Sequence, residues 1–298
     1  MKSLGGATER LRQSMASWLD PLRNRPSPDS RSHATTVFCF GQSNAVCLVR
    51  AWKRGLYRPD DQALDFKFLL WGPRKFPADS MVVPSPSSGA DVIHPLLAHA
   101  FEEHGVLSGS TDAWLVSVVR GNAYNVYGLF EPNPPFDFVH PDMPALALRA
   151  GAQLLPYDAV RTMFSQAAES TRRFYKCLPR QNIAGVLHLE APPPIPSEKQ
   201  CQRSVEGVLL PRALGLPRGV QISPREFRMK LWRCQSDVNR EICVQNDVIY
   251  VPPPEEALDE GGFLLPAAWW GATHASSWYG ALALRKIEGV ITERRRRQ

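Results

Sequence analysis

The sequence predicts an α/β protein, a three-layer α/β/α sandwich built on a parallel sheet. Short β-branched and aromatic runs suit buried strands, and the longer amphipathic segments between them suit helices. The chain has 298 residues, of which 44% are hydrophobic, enough to build a full core. Because strands and helices alternate, parallel pairing is favoured, and a ligand site is expected at the carboxyl ends of the strands.

The first predicted element is a strand over residues 35–40, a β-branched and aromatic run that ends at Gly41. The apolar spacing of residues 46, 48, 49 and 52 predicts a helix that begins near Ser43. The same alternation then predicts, in order, strand 66–71, helix 92–104, strand 114–119, helix 157–177, strand 183–189, helix 225–242, strand 248–251 and helix 276–290.

Three segments follow from composition. Residues 1–33 are predicted to form a peripheral helix and a polar linker, residues 34–290 the α/β domain, and residues 291–298 a basic tail. Much of the formal net charge of +6 lies in the run Arg294–Arg297, which is typical of a solvated tail. No apolar run has the length of about 18 residues that spans a bilayer, and no signal peptide is evident, so we expect a cytoplasmic protein without a membrane partner.

The six cysteines include no CxxC pair and no histidine at zinc-finger spacing. We therefore expect reduced thiols, several of them in the core, and no structural zinc. His94, His99 and His104 are each five residues apart, so on a helix successive imidazoles would point about 140° apart. They cannot share one face as metal ligands, and we predict neither a metal site nor a cofactor.

Ser43 is the first candidate for chemistry. It lies in the segment FCFGQSNA, two residues after Gly41, between a predicted buried strand and a helix N-terminus. This position places a hydroxyl in the strand-end crevice, where it could act as a nucleophile. Serine is also a common helix N-cap, and that structural role is the alternative.

Two further segments supply possible partners for Ser43. His274 lies in GATHASSWYG, at the junction of a loop and the final predicted helix, and is a candidate general base. Asn122 lies in VVRGNAYNVYGL, where a strand runs into Gly121, and its side-chain amide could donate to an oxyanion. An ordinary core or surface role for the histidine and a turn role for the asparagine are the alternatives.

Taken together, the three segments resemble the SGNH hydrolases, relatives of the GDSL esterases with a flavodoxin-like α/β/α sandwich. The phrase GQSNA is similar to the nucleophile block of sialate and carbohydrate O-acetylesterases, and THASSWYG to the THANxxYG block of bacterial SGNH proteins. The resemblance implies that Ser43 is the nucleophile and His274 the base. It also implies an oxyanion site formed by the Ser43 amide, the Asn122 side chain and the Gly89 amide. Asn125 is expected either beside the substrate or in a structural role in the turn.

The sequence departs from the family pattern at one important position. SGNH enzymes carry an aspartate three residues before the histidine, whereas this chain has Gly271 there. The aspartate holds the imidazole in the useful tautomer, and its loss in a serine triad can cost about 10⁴ in turnover. Either a backbone carbonyl or an acid of the preceding segment orients His274, or the activity is impaired. The acids of that segment are Glu255, Glu256, Asp259 and Glu260.

The predicted function is therefore hydrolysis of an ester, such as an O-acetyl group on a carbohydrate, through an acyl-enzyme on Ser43. The alternative is a degenerate SGNH fold that binds its ligand without turnover. The expected partner is a small-molecule or glycan ester, for which Trp269, Trp270 and Trp278 could form either an aromatic platform or part of the core. Nucleic acid is not an expected partner, because no recognised binding motif accompanies the basic residues.

Overall fold

The computed structural model describes residues 34–71, 81–106, 112–119, 121–206 and 220–297. The predicted helix and linker over residues 1–33 lie outside these ranges. Within the described residues, all six cysteines are free and five of them are buried, as expected. None of the helices in these ranges combines the length and the apolar character needed to cross a bilayer.

Eleven strands and eight helices have bounds given by the described residues. The strands are β1 (Thr35–Gly41), β2 (Leu64–Leu70), β3 (Val82–Pro84), β4 (Asp91–Ile93), β5 (Trp114–Val118), β6 (Phe136–Asp137), β7 (Gln153–Leu154), β8 (Gly185–Leu189), β9 (Ile249–Val251), β10 (Trp269–Trp270) and β11 (His274–Ala275). The helices are α1 (Val46–Lys53), α2 (Pro95–Glu103), α3 (Ala123–Gly128), α4 (Tyr157–Ala167), α5 (Glu169–Cys177), α6 (Glu198–Glu206), α7 (Arg225–Gln245) and α8 (Ser277–Arg297).

The main sheet has five strands in the order β2-β1-β5-β8-β9, and every neighbouring pair is parallel. Counted along the chain, these five strands follow the order 2-1-3-4-5, which is the flavodoxin-like arrangement. The order reverses at β1, so the crevice beside the carboxyl end of β1 is the topological switch point. This confirms the predicted fold class.

The sheet separates two apolar layers. Phe38 and Phe40 of β1 pack on one side, while Val37 and Cys39 of the same strand pack on the other. Helices α2, α4, α5 and α7 cover the first side, and α1, α6 and α8 cover the second. Because consecutive residues of a strand point to opposite faces, one continuous apolar strand serves both layers. The three-layer prediction is confirmed.

The helix predicted over residues 92–104 is shorter in the structure. Asp91–Ile93 forms β4, which pairs antiparallel with β3, and α2 begins only at Pro95. The residue before a proline avoids helical torsion angles, and His94 instead caps the helix, its side chain accepting from the Leu96 amide at 3.2 Å.

Two other helices differ from their predicted bounds. The helix predicted over residues 157–177 is broken at Ala168, where the backbone torsion angles are −88° and 0°. The break separates α4 from α5 while both continue to bury phenylalanine, Phe164 in one and Phe174 in the other. The final helix runs past residue 290 to Arg297, so most of the predicted basic tail continues α8.

Helices α1 and α8 pack closely against each other at Gly280. A Cβ placed on Gly280 would lie 2.1 Å from the Cys47 carbonyl oxygen and 3.0 Å from the Leu48 amide nitrogen. Both contacts are to backbone, which cannot move aside as a flexible side chain can. Gly289, further along the same helix, has nothing within 4 Å of such a Cβ.

We therefore expect Gly280→Ala to destabilise the fold by about 1–3 kcal/mol through overpacking. Gly289→Ala is the matched control and should stabilise by about 0.5–1 kcal/mol, because alanine has the higher helix propensity. Urea unfolding at constant m-value measures both changes. Equal midpoints for the two variants would contradict the close contact between the helices.

Candidate active site

The carboxyl end of β1 is held tightly between its neighbours. The Trp71 amide donates to the Gly41 carbonyl at 2.7 Å, and the Gln42 amide donates to the Val118 carbonyl at 3.4 Å. A Cβ on Gly41 would lie 2.3 Å from the Val118 carbonyl oxygen. Only glycine fits this approach, so the strand leaves the sheet at a fixed place and direction.

Ser43 begins a single 3-10 turn, Ser43–Ala45, that leads directly into α1. Its side chain is exposed, whereas the neighbouring Asn44 is buried. The cap positions of the turn and of α1 are Gln42 and Ala45, and neither makes a side-chain cap hydrogen bond. Ser43 is therefore not an N-cap, and its hydroxyl is presented at the strand end.

His274 lies on the short antiparallel hairpin of β10 and β11, opposite Trp270. This hairpin packs against the turn that begins at Ser43, with Cα atoms of the two segments within 8 Å of each other. The Nε2 atom of His274 is buried and has no hydrogen-bond partner among the described residues. The structure thus brings the segment that carries the predicted base against the turn that carries the predicted nucleophile.

The surroundings of His274 favour its neutral form. Burial lowers the pKa of the imidazole, and the nearby Arg50 guanidinium lowers it further. That guanidinium lies 3.6 Å above the ring centroid of Trp270, whose ring contacts His274 edge-on at 5.5 Å. A neutral imidazole is the form that can accept a proton.

The orienting partner of His274 is its chain neighbour Thr273. Thr273 Oγ1 lies 2.9 Å from His274 Nδ1. Gly271 adopts a left-handed conformation with φ of +69°, which glycine tolerates best. None of the acids considered as replacements is the partner of Nδ1; Asp259, for example, accepts from the Gly261 and Phe263 amides of its own turn, at 2.9 Å each.

The hydrogen bond between Thr273 and His274 can run in either direction, because a hydroxyl both donates and accepts. When Nδ1 donates to the threonine hydroxyl, the lone pair of His274 resides on Nε2. This is the tautomer that a general base requires. A neutral hydroxyl can hold the ring in this tautomer, but it stabilises an imidazolium less than a carboxylate does. The sequence shows that Thr273 immediately precedes His274. A hydroxyl residue beside a histidine has many other roles, so the sequence alone does not identify Thr273 as its partner.

Asn122 lies where β5 gives way to α3. Its Oδ1 accepts from Asn125 Nδ2 at 2.7 Å, and Asn125 is itself buried. Because that contact occupies the oxygen of the Asn122 amide, the NH₂ group points the other way and can donate to a ligand. Asn125 therefore holds the side chain of Asn122 through this hydrogen bond.

Three strand ends converge beside Asn122. A Cβ on Gly121 would lie 2.5 Å from the Ala191 side chain and 2.9 Å from Asn44 Nδ2. Glycine at position 121 therefore lets the ends of β1, β5 and β8 approach one another. Asn44 is a residue that the sequence analysis did not single out; its Oδ1 is buried without a hydrogen-bond partner in the described part of the chain.

A cleft of about 310 Å³ opens at these strand ends. Its walls are mainly apolar, and Val126 on α3 is 75% exposed. The residues that line it are Gln42, Asn122, Ala123, Val126, Tyr127 and Ala167. Asn122 and Gln42, the residue before Ser43, line this cleft, whereas Ser43 and His274 are not among its lining residues.

Gly89 is not brought into this arrangement. It lies near the tip of the β3–β4 hairpin with φ of +68°, and nothing lies within 4 Å of a Cβ placed there. Its amide donates to the Ser85 carbonyl at 2.8 Å and closes the turn. That hydrogen bond occupies the donor which the resemblance assigned to the oxyanion.

The three spaced histidines have separate partners. His94 caps α2, His99 lies 3.5 Å from Glu103, and His104 packs on Phe38 at 5.0 Å between ring centroids. These contacts agree with the prediction that they do not share a metal.

One cluster with metal-ligand chemistry does occur among the described residues, formed by His140, Asp142 and Asp237. His140 Nε2 lies 3.2 Å from Asp237 Oδ2, and the His140 Nδ1 atom accepts from the Asp142 amide at 3.2 Å. Arg233 lies 4.0 Å from Asp142 and Arg240 lies 3.9 Å from Asp237. These guanidinium groups already neutralise the carboxylates, so the cluster is an ion-pair network rather than a cation site.

The three tryptophans separate into the two predicted roles. Trp269 is partly buried against the core and donates from Nε1 to the Leu264 carbonyl at 2.7 Å. Trp270 and Trp278 are 43% and 38% exposed. Aromatic surface is therefore available near His274.

Comparison with solved structures finds remote likenesses over nearly the whole chain. One is a proposed acylhydrolase from Bacteroides fragilis, with a TM-score of 0.44, 10% identity and coverage of 98% of this chain and 99% of that chain. A GDSL-like lipase from Bacteroides thetaiotaomicron has a TM-score of 0.38, 11% identity and coverage of 96% and 97%. A carbohydrate acetylesterase from Sinorhizobium meliloti has a TM-score of 0.40, 10% identity and coverage of 87% and 98%.

No protein-family profile matches this chain, and no curated protein sequence matches it. At this level of similarity, the assignment of a flavodoxin-like α/β/α fold rests on the strand order and the two core layers of the chain itself.

The electrostatic environment of His274 yields a prediction. Replacing Arg50 by methionine removes a positive charge that opposes protonation, so the pKa of His274 should rise. Titration of the His274 ring proton by NMR measures the change. Arg54→Met is the matched control at the residue that follows the same helix. Arg54 donates to Ser277 Oγ at 3.0 Å, and its replacement should leave the pKa of His274 unchanged. A lowered or unchanged pKa in Arg50→Met would contradict the electrostatic account.

Proposed function

We propose that this protein is a serine hydrolase that cleaves carboxylic esters through an acyl-enzyme on Ser43. The observation that supports the proposal is that the segments carrying three candidate groups lie at or beside the carboxyl ends of β1 and β5. Ser43 is presented at the end of β1, the His274 hairpin packs on the same turn, and Asn122 follows β5. These are a nucleophile, a base and an oxyanion donor in the setting that acyl transfer requires.

In the first half-reaction, His274 Nε2 takes the proton of the Ser43 hydroxyl as its oxygen attacks the ester carbonyl. The negative charge that develops on the carbonyl oxygen is stabilised by the Ser43 amide and the Asn122 side-chain NH₂ group. The imidazolium then gives its proton to the leaving alkoxide as the C–O bond breaks. An alcohol departs, and the acyl group remains on Ser43.

Water completes the cycle. His274 takes a proton from water, the resulting hydroxide attacks the acyl carbon, and the same donors hold the second oxyanion. The proton returns to Ser43 as the acyl-enzyme bond breaks and a carboxylic acid leaves. Throughout, Thr273 Oγ1 keeps the Nδ1 side of the ring fixed.

For the substrate we propose an O-acyl group on a carbohydrate, with acetyl as the first candidate because of the GQSNA segment. Two features support this class. The cleft beside Asn122 is small and mainly apolar, which suits a short acyl group. The partly exposed rings of Trp270, which lies beside His274, and Trp278 suit the alcohol side, since amphipathic aromatic rings pack well against sugar rings. Arg50 covers one face of Trp270, so a sugar would meet the other face or the edge of that ring.

The second candidate function is a binding protein that retains the site without turnover. The observations that favour it are Gly271 in place of the usual aspartate and the unpartnered Nε2 of His274. A binder needs no activated hydroxyl. Reaction with a serine-directed fluorophosphonate therefore separates the two functions.

The first test of the proposal is Ser43→Ala. We expect the purified wild-type protein to react with a fluorophosphonate probe and to hydrolyse a short-chain aryl acetate. Ser43→Ala should lose labelling and at least about 10³ in kcat, because the nucleophile acts together with its base. Ser87→Ala, at an exposed serine in the β3–β4 turn, is the control and should behave as wild type. Labelling of Ser43→Ala equal to wild type would overturn the assignment of the nucleophile.

The role of Thr273 is tested separately with Thr273→Val, which keeps the side-chain shape and removes the hydroxyl. A neutral hydrogen bond contributes about 0.5–1.5 kcal/mol, so we expect kcat/KM to fall about three- to tenfold. The temperature of thermal unfolding provides the stability control. An undiminished rate would show that another group orients the imidazole.

A further inference from the structure

A buried polar cluster lies behind the turn that carries Asn122. Its centre is Glu190, which follows β8 and is 0% exposed. Glu190 Oε1 accepts from the Ala191 amide at 2.9 Å, and Asn239 Nδ2 lies 3.4 Å from Oε1 and 3.3 Å from Oε2. Tyr250 and Gln235 lie close enough to this carboxyl group to lower its pKa, which burial raises. A carboxyl group buried at a strand end with this many partners has a fixed orientation.

Gln235 connects that cluster to the turn of Asn122. Its Nε2 donates to the Gly121 carbonyl at 3.1 Å, and its Oε1 accepts from the Tyr124 amide at 3.0 Å. The side chain is only 3% exposed. One amide group therefore holds the backbone on both sides of Asn122. These two contacts show which end of the side-chain amide is nitrogen and which is oxygen. One Nε2 proton is donated to Gly121, so the second is available to Glu190.

Helix α7 is the rigid support of this arrangement. Trp232, Gln235 and Asn239 lie three and four residues apart and therefore share one face of the helix. Trp232 Nε1 donates to the Ala191 carbonyl at 3.0 Å, while the other two side chains contact Glu190. One helix face thus fixes the ends of both β5 and β8.

We propose that Gln235, oriented by Glu190, is a positioning residue that sets the direction of the Asn122 amide toward the oxyanion. The inference rests on the proposed function, because it concerns how the donor of that site is held. An oxyanion donor must lie 2.7–3.1 Å from the developing charge, and a misplacement of about 1 Å can cost about 10²-fold in rate. Neither Gln235 nor Glu190 is among the residues lining the cleft, so each acts through Asn122.

The test uses Gln235→Met, which preserves the volume and removes both hydrogen bonds to the turn. We expect kcat for a short-chain aryl acetate to fall about 10- to 100-fold with KM changed less than about twofold, because the loss falls on the transition state. The matched control is Ser236→Ala, the next residue on α7. The variant loses the hydrogen bond between Ser236 and Tyr250 at 2.6 Å. Ser236 takes no part in the two hydrogen bonds between Gln235 and the turn of Asn122.

A double-mutant cycle distinguishes positioning from general stability. If Gln235 acts through Asn122, Gln235→Met should lower kcat little further in an Asn122→Ala background. Full additivity of the two losses would overturn the inference. So would a kcat for Gln235→Met equal to that of Ser236→Ala at a temperature where both variants are folded.

Hydrogen exchange followed by mass spectrometry gives a readout that needs no turnover. Amides of residues 121–126 should exchange faster in Gln235→Met than in wild type or Ser236→Ala. Unchanged exchange would show that the two hydrogen bonds of Gln235 do not hold the turn of Asn122. If wild type shows no turnover that depends on Ser43, the proposed function fails, and the positioning role fails with it. Normal wild-type turnover with an undiminished Gln235→Met rate instead removes the positioning role alone.

Discussion

The close approach of strand ends at two glycines is the constraint on which the rest of the site depends. At Gly41 a side chain would meet the Val118 carbonyl, and at Gly121 it would meet Ala191 and Asn44. Because these positions lack a Cβ, the carboxyl ends of β1, β5 and β8 come together in one crevice. The turn of Ser43 and the turn of Asn122 adjoin that crevice as a consequence, and any larger residue would separate them.

The fold could be predicted from sequence because its signals are local and repeated. Apolar runs of strand length and the helical spacing between them set the class. The predicted helix 92–104 was wrong over its first residues because pairing with β3 is a non-local contact that overrides local propensity. Ser43, Asn122 and His274 were proposed as site residues from strand-end positions together with a family resemblance. Thr273 and Gln235 were missed, because a hydroxyl beside a histidine and a glutamine in a long helix carry no distinctive pattern.

The partner of the imidazole changes the electrostatics of the site. A carboxylate would stabilise an imidazolium, whereas Thr273 offers a neutral oxygen and Arg50 adds a positive charge nearby. Both differences act in the same direction, toward a histidine that stays uncharged and is a weaker base. In the proposed mechanism, Thr273 would orient the imidazole but would stabilise an imidazolium less than a carboxylate does.

The contact between the first and last helices has a consequence for biosynthesis. Arg54 on α1 donates to Ser277 on α8, 223 residues later in the chain. At synthesis rates of about 5–20 residues per second, the serine turn leaves the ribosome about 10–45 s before its histidine is made. During that interval the nascent chain carries the proposed nucleophile without its proposed base. Translation must pass the C-terminal helix before the two can meet.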